Sequence, residues 1–197
     1  MQQQRDHVLG VATEVFARRG YPGTTVDHVI AAARVSYSSF YELFDGKEDC
    51  MLQAYDRVVA DFWQRIAAAV PAEAAWPEQV CAALRGTLSA VAASPQAARL
   101  ALVEIQTAGP EALARFELTH DRVVPLLLPG RELSPHADEL PTTLEEATIG
   151  GVAWLLHQRL VMGEVETIED LYAEVVQIVV APYLGEEAAT RLIANSS

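Results

Sequence analysis

Apolar side chains recur every three to four positions through most of the chain, and the punctuation of a β-rich sequence is missing, so the pattern predicts helices. Val8, Leu9, Ala12, Val15 and Phe16 share one face of a helix predicted over 7–19. Arg18 and Arg19 fall in its last turn, where cations suit the helix dipole, and Gly20 is placed as its C-cap ahead of a Tyr21-Pro22-Gly23 loop. Thr24-Thr25 then opens a second helix: a Thr hydroxyl can cap free N–H groups, and Val26, Val29, Ile30 and Ala33 have i, i+3, i+4, i+7 spacing. Arg34-Val35-Ser36 breaks the pattern, and Ser36 caps a third helix predicted from Tyr37 to Phe44. Two short helices with so tight a joint make a helix-turn-helix.

A fourth helix is predicted from Lys47 to about Val70, stopped by Pro71, with Asp45 and Glu48 at capping-box spacing. Beyond it the pattern predicts helices from Pro77 to Ala93, from Ser94-Pro95 to Thr107, and from Gly109-Pro110 to Leu128. A loop is expected over 129–141, then a long helix from Thr142, with Glu145 at the capping-box position, to Met162. A last long helix covers about Thr167 to Leu184, and a short helical tail follows Gly185. The expected fold is therefore all-α, about nine helices. A three-helix helix-turn-helix domain over 1–47 precedes a separate helical domain over 48–197.

With 197 residues, 51% apolar and 21% charged, the chain can bury a substantial core. No run of eighteen apolar residues and no secretory-type apolar segment at the start point to a membrane or to export, so a cytoplasmic protein is expected. The two cysteines, Cys50 and Cys81, form no C-x-x-C or Cys/His cluster; buried thiols are the expectation, with neither a metal site nor a cofactor. The net charge of −13 gives a DNA-binding reading no support by itself. It is unevenly spread: residues 1–50 hold five basic and seven acidic side chains, a net of −2, leaving −11 for the rest.

A recognition helix needs small or hydrogen-bonding side chains at its start to enter the major groove, and Tyr37, Ser38 and Ser39 are such residues. Thr25 and Ser36 lie at helix N-termini, where hydroxyl and backbone N–H groups can hold a phosphate, and Tyr41 can donate to one. Phe40 and Phe44 fit the core of the small domain. Lys47 is the only lysine in the chain and sits at a helix N-terminus, a poor place for a cation.

The stretch Val11-Ala12-Thr13-Glu14-Val15-Phe16-Ala17-Arg18-Arg19-Gly20-Tyr21, followed by Thr24-Thr25-Val26, Ala32-Ala33-Arg34-Val35-Ser36 and Phe40-Tyr41-Glu42-Leu43-Phe44-Asp45-Gly46-Lys47-Glu48, resembles the TetR family of bacterial regulators. The resemblance covers the first quarter of the chain. It implies a helix-turn-helix that binds double-stranded DNA, with Lys47 at the DNA backbone, and a C-terminal domain that dimerises and often binds a small molecule. Arg34 departs from the family's usual glycine in the turn, and Glu42 and Asp45 place negative charge where many members carry His or Arg.

The last two long helices would then make a four-helix bundle with a second copy, through Ile149, Val152, Leu156 and Leu160 on one and Leu171, Val175, Ile178 and Val179 on the other. Gly150-Gly151 inside a helix costs about 1 kcal/mol per glycine relative to alanine, which close contact across a dimer would offset. A ligand pocket needs large apolar walls and a few polar groups; Trp63, Phe116 and Trp154 with Arg85, His120 and His157 are candidates, and a hydrophobic ligand suits them. The function expected is a homodimeric repressor on a palindromic operator, released by a ligand that favours a dimer with mismatched reading heads. A helical enzyme finds no nucleophile–base pair, metal spacing or phosphate loop in its favour, whereas a protein-interaction module that has lost DNA binding is allowed by the acidic charge and Arg34.

Overall fold

The computed structural model describes residues 1–195, and every regular element among them is helical. In chain order these are α1 (Gln2–Arg19), α2 (Val26–Ala33), α3 (Tyr37–Tyr41), α4 (Lys47–Ala69), α5 (Trp76–Ala93), α6 (Pro95–Leu102), α7 (Pro110–Asp121), α8 (Val124–Leu127), α9 (Pro129–Leu133), α10 (Leu144–Met162), α11 (Tyr172–Leu184) and α12 (Glu186–Asn195). Short 3-10 turns lie at Glu104–Thr107, Ala137–Glu139, Val165–Thr167 and Glu169–Leu171.

The structure breaks several helices that the pattern predicts as continuous. The expected helix from 110 to 128 is α7 and α8 separated at Arg122 and Val123, because Pro125 has no N–H to continue the ladder. The expected loop over 129–141 contains α9, with Pro129 at a first-turn position where its missing N–H is harmless. Thr142 caps nothing: α10 begins at Leu144 with Thr143 before it, and no side chain caps it. Glu145 turns inward instead of back to a cap. At the start of α4, the Asp45 backbone N–H donates to Asp49 Oδ2 at 2.9 Å, so Asp49 and not Glu48 satisfies that group.

The chain divides into two compact units, which do not follow the expected boundary after residue 47. The first comprises Met1–Asp61 with Ser94–Phe116. Its core is built from the faces the pattern singled out, Val8, Ala12, Val15 and Phe16 of α1 and Val29, Ile30 and Ala33 of α2, closed by Phe40, Phe44 and Met51. Helix α6 packs against α1, and Leu100 and Ile105 are fully buried beside it. The second unit comprises Phe62–Ala93 and the chain from Glu117 onward. Its core gathers Val80, Cys81 and Leu127 with Val176, Val179, Val180 and Ala189.

A buried charge ties the second unit together. Glu145 is 2% exposed; its carboxylate receives Arg131 Nε and Nη2, each at 2.8 Å, and the Tyr183 hydroxyl, also at 2.8 Å. Arg131 also donates to the carbonyl of Pro141. These bonds join α9, α10 and α11 through one carboxylate. Gly130, next to Arg131, is where α9 meets the Trp76 and Tyr183 rings: a Cβ there would lie 2.8 Å from Tyr183 Cγ.

Candidate nucleic-acid interface and ligand cavity

The first unit presents α2 and α3 as two short helices joined by a left-handed residue. Arg34 has φ 56° and ψ 43°, and its N–H bonds to the Ile30 carbonyl, closing α2 in the conformation a glycine would adopt without penalty. Thr25 caps α2: its hydroxyl accepts from the His28 N–H at 3.3 Å, while His28 Nδ1 accepts from the Thr25 N–H at 3.1 Å. Histidine thus fills the role that Glu or Gln has in the usual reciprocal cap.

Ser36 caps α3 by accepting from the Ser39 N–H at 3.1 Å, and its hydroxyl lies 2.9 Å from those of both Ser38 and Ser39. Phe40 points into the core, 5.1 Å from the Phe44 ring, and so turns the opposite face of α3 to solvent. Tyr37 and Tyr41, four positions apart on that face, are each 54% exposed. Ser36 and Ser38 are exposed and Ser39 is half-buried. Two aromatic rings left more than half exposed, each with a polar tip, give this face an amphipathic surface.

Lys47 is placed by Tyr21. Its ammonium lies 4.0 Å from the centre of the Tyr21 ring and donates to the Tyr21 carbonyl at 3.0 Å. An ammonium carries three donors, and the Tyr21 carbonyl takes one of them. Burial, with Glu48 adding to it, pushes the Tyr21 phenol above its ordinary range, so the ring under Lys47 stays neutral. The Tyr21 N–H in turn donates to Glu104 at 3.1 Å, and Arg99 Nε faces the same carboxylate at 3.2 Å. Nothing in the sequence flagged Glu104, a single carboxylate 83 positions from its partner.

In the second unit a cavity of about 570 Å³ opens along α5, lined by Glu78, Cys81, Ala82, Arg85, Gly86 and Ser89, with Arg65 and Ala69 from α4 and Tyr172 from α11. Of the residues expected to line a pocket, Arg85 is there. Trp63, Phe116, His120, Trp154 and His157 are not among its lining residues. Trp154 is 59% exposed and stacks on His157 with ring centres 5.4 Å apart, while Trp63, Phe116 and His120 are half-buried. The sequence carries a signal for it: Ala82, Gly86, Ser89 and Ala93 recur at helical spacing on α5, a small-residue face that leaves room beside it.

The residues expected at a dimer interface separate into two sets. Leu156, Leu160, Leu171, Val175 and Val179 are 4% exposed or less, so these side chains already serve the chain's own core. Ile149 and Val152 are partly buried against that core, and Ile178 is 38% exposed. The apolar face left open on α10 carries Gly150, Trp154 and Val161, and that on the adjoining α11 carries Ile178 and Pro182.

Both thiols are buried, and burial pushes Cys50 up to about 12 and raises Cys81, which keeps both protonated at neutral pH.

Residues 8–54 match the family described as bacterial regulatory proteins, tetR family. Over 44 residues the chain is 46% identical to the HTH-type transcriptional repressor DhaR of Mycobacterium sp. (strain GP1), a stretch that spans 22% of this chain and 22% of that protein's length. In fold it is similar to the fatty acid degradation regulator FadR from Bacillus halodurans, with a TM-score of 0.78, 18% identity and coverage of 90% of this chain and 94% of that one. FadR from Bacillus subtilis, solved in complex with stearoyl-CoA, gives 0.72 at 16% identity over 89% of this chain and 97% of that one. A TetR-like transcriptional regulator from Rhodococcus sp. RHA1 gives 0.66 at 22% identity, covering 87% of this chain and 92% of that one. The chain thus carries a tetR-family helix-turn-helix region over residues 8–54, and as a whole it has the fold of TetR-type regulators.

Proposed function

We propose that the protein is a homodimeric repressor of the cytoplasm, without catalytic activity, that binds a palindromic operator and releases it when a small molecule occupies the helical unit. The observation that carries the DNA-binding half is the exposed face of α3, where Tyr37 and Tyr41 stand in solvent beside Ser38 while Phe40 anchors the helix from behind. In this reading residues 1–47 are the reading head. Tyr37, Ser38 and Ser39 face base edges, and Thr25, Ser36, Tyr41 and Lys47 hold phosphates. Glu42 and Asp45, both exposed, point away from the duplex.

One short helix reads only a few base pairs, so operator selectivity calls for two copies. The open face of α10 and α11 suits the second. A Cβ built on Gly150 or Gly151 meets nothing within 4 Å, so packing inside the chain gives no reason for either glycine. A partner helix close to α10 does. The B. subtilis neighbour binds an acyl-CoA, which supports an apolar effector here.

The test is selection of bound sequences from a random duplex pool with the purified full chain at two salt concentrations. Enrichment of an inverted repeat, weakened by salt and lost on Lys47→Ala with Tyr41→Ala, is the expected result. A folded, dimeric protein that enriches nothing at low salt overturns the reading and leaves the interaction module as the better account.

A further inference from the structure

The cavity along α5 concentrates positive charge in a protein whose net charge is −13. Arg65 comes from the end of α4 and Arg85 from the middle of α5, against one lining acid, Glu78. The two helices approach closely here: a Cβ on Gly86, next to Arg85, would stand 3.5 Å from the Cα of Ile66, next to Arg65. The arginines therefore flank one crossing point. Arg85 is oriented by stacking over the Tyr172 ring, 4.2 Å from its centre. Tyr172 lines the same cavity, and its hydroxyl is buried with no hydrogen-bond partner among the described residues. The Cys81 thiol lies beside it, but no bond of normal geometry joins them. A buried hydroxyl left in that state is destabilising unless something in the cavity accepts from it. The remaining wall, Ala69, Ala82, Gly86, Ala90 and Ala93 with one hydroxyl from Ser89, is low and mostly apolar.

We infer that this cavity binds an amphipathic organic acid, its carboxylate or phosphate held between Arg65 and Arg85 and its apolar body laid along the alanine wall of α5. A guanidinium pair matches the paired oxygens of such an acid, and an acid oxygen also supplies the acceptor that Tyr172 lacks. Glu78 disfavours a ligand with a second negative charge at the far end. This site rests on the reading that the helical unit carries the effector, and names its chemical class.

Calorimetric titration of the full-length protein with octanoate, octyl phosphate and octanol tests it. At least one of the two acids binds, about tenfold or more tighter than octanol, and their ranking tells whether carboxylate or phosphate is the preferred head. Arg85→Gln and Arg65→Gln, both at exposed positions and checked for folding by circular dichroism, each weaken the acid and leave octanol unchanged. Ser89→Phe, which fills the cavity from an exposed position, weakens all binding. Octanol binding as tightly as the acids, or acid binding indifferent to both arginine variants, overturns the site. Operator binding is measured in parallel. An acid that binds through both arginines yet leaves the protein on DNA upholds the site and overturns ligand release; an acid that binds and frees the DNA upholds both.

Discussion

The Glu104 carboxylate receives the backbone N–H of Tyr21 at 3.1 Å, across 83 positions of sequence. The same tyrosine holds Lys47 through its carbonyl and ring. The segment after α6 is thereby joined, by one buried side chain, to the loop that presents the proposed phosphate contact. Glu104→Ala strands the Tyr21 N–H and removes the carboxylate that faces Arg99. We expect a loss of about 2 kcal/mol and a fall in Tm of about 5 °C, with a parallel loss of DNA affinity. Glu104→Gln, which keeps an acceptor oxygen, should lose less on both scales. Thermal unfolding and binding to a selected operator check the pair, and equal effects of the two variants would contradict the role of the bond.

Arg34 occupies the left-handed region with an exposed side chain. Arg34→Gly removes the Cβ penalty and touches no packed group. Stability should rise by about 1 kcal/mol, visible as a higher denaturation midpoint at unchanged slope.

Two glycines should respond oppositely to alanine. In a helix the exchange normally gains about 1 kcal/mol. At Gly130 the new methyl collides with the Trp76 and Tyr183 rings, so Gly130→Ala should destabilise and lower the yield of folded protein. At Gly150 there is open space within the chain. Gly150→Ala should therefore leave the fold intact while weakening the dimer, as should Trp154→Glu. Sedimentation equilibrium across protein concentration reads this directly, and an unchanged dimer in both variants would remove α10 from the interface.

Glu145 is held below the usual carboxylate range, chiefly by its hydrogen bonds from Arg131. A carboxylate lowered by folding contributes stability that is complete above its unfolded value of about 4.3 and is lost as pH falls through the folded value. Tm should fall steeply as pH drops below about 5. In Glu145→Gln the acid limb should flatten, with Tm at pH 7 lower by about 5 °C. Tyr183 is shifted the other way: burial, with Glu145 added, raises its phenol. Its contribution is complete below the ordinary phenol value of about 10 and is lost as pH rises beyond it, and Tyr183→Phe should remove that alkaline limb.

Local chemistry determined much of this protein from sequence alone. The core faces of α1 and α2, the caps at Thr25 and Ser36 and the joint at Arg34 are all settled by neighbours within a few positions, where helical spacing and capping act. The same locality made the family resemblance legible over the first quarter of the chain. Tertiary structure decided the rest, because distant partners compete with local rules. Glu145, at capping-box spacing, is drawn to Arg131 and Tyr183, since a buried carboxylate gains more from a guanidinium and a phenol than from one exposed N–H. The stripes of α10 and α11 are wide enough to cover two surfaces, and periodicity cannot say which half faces inward. Packing buries Leu156, Leu160, Val175 and Val179 within the chain and leaves Trp154 and Ile178 outside. The cavity, likewise, exists because α4 and α5 cross at Gly86, a contact between segments that no pattern along either helix specifies.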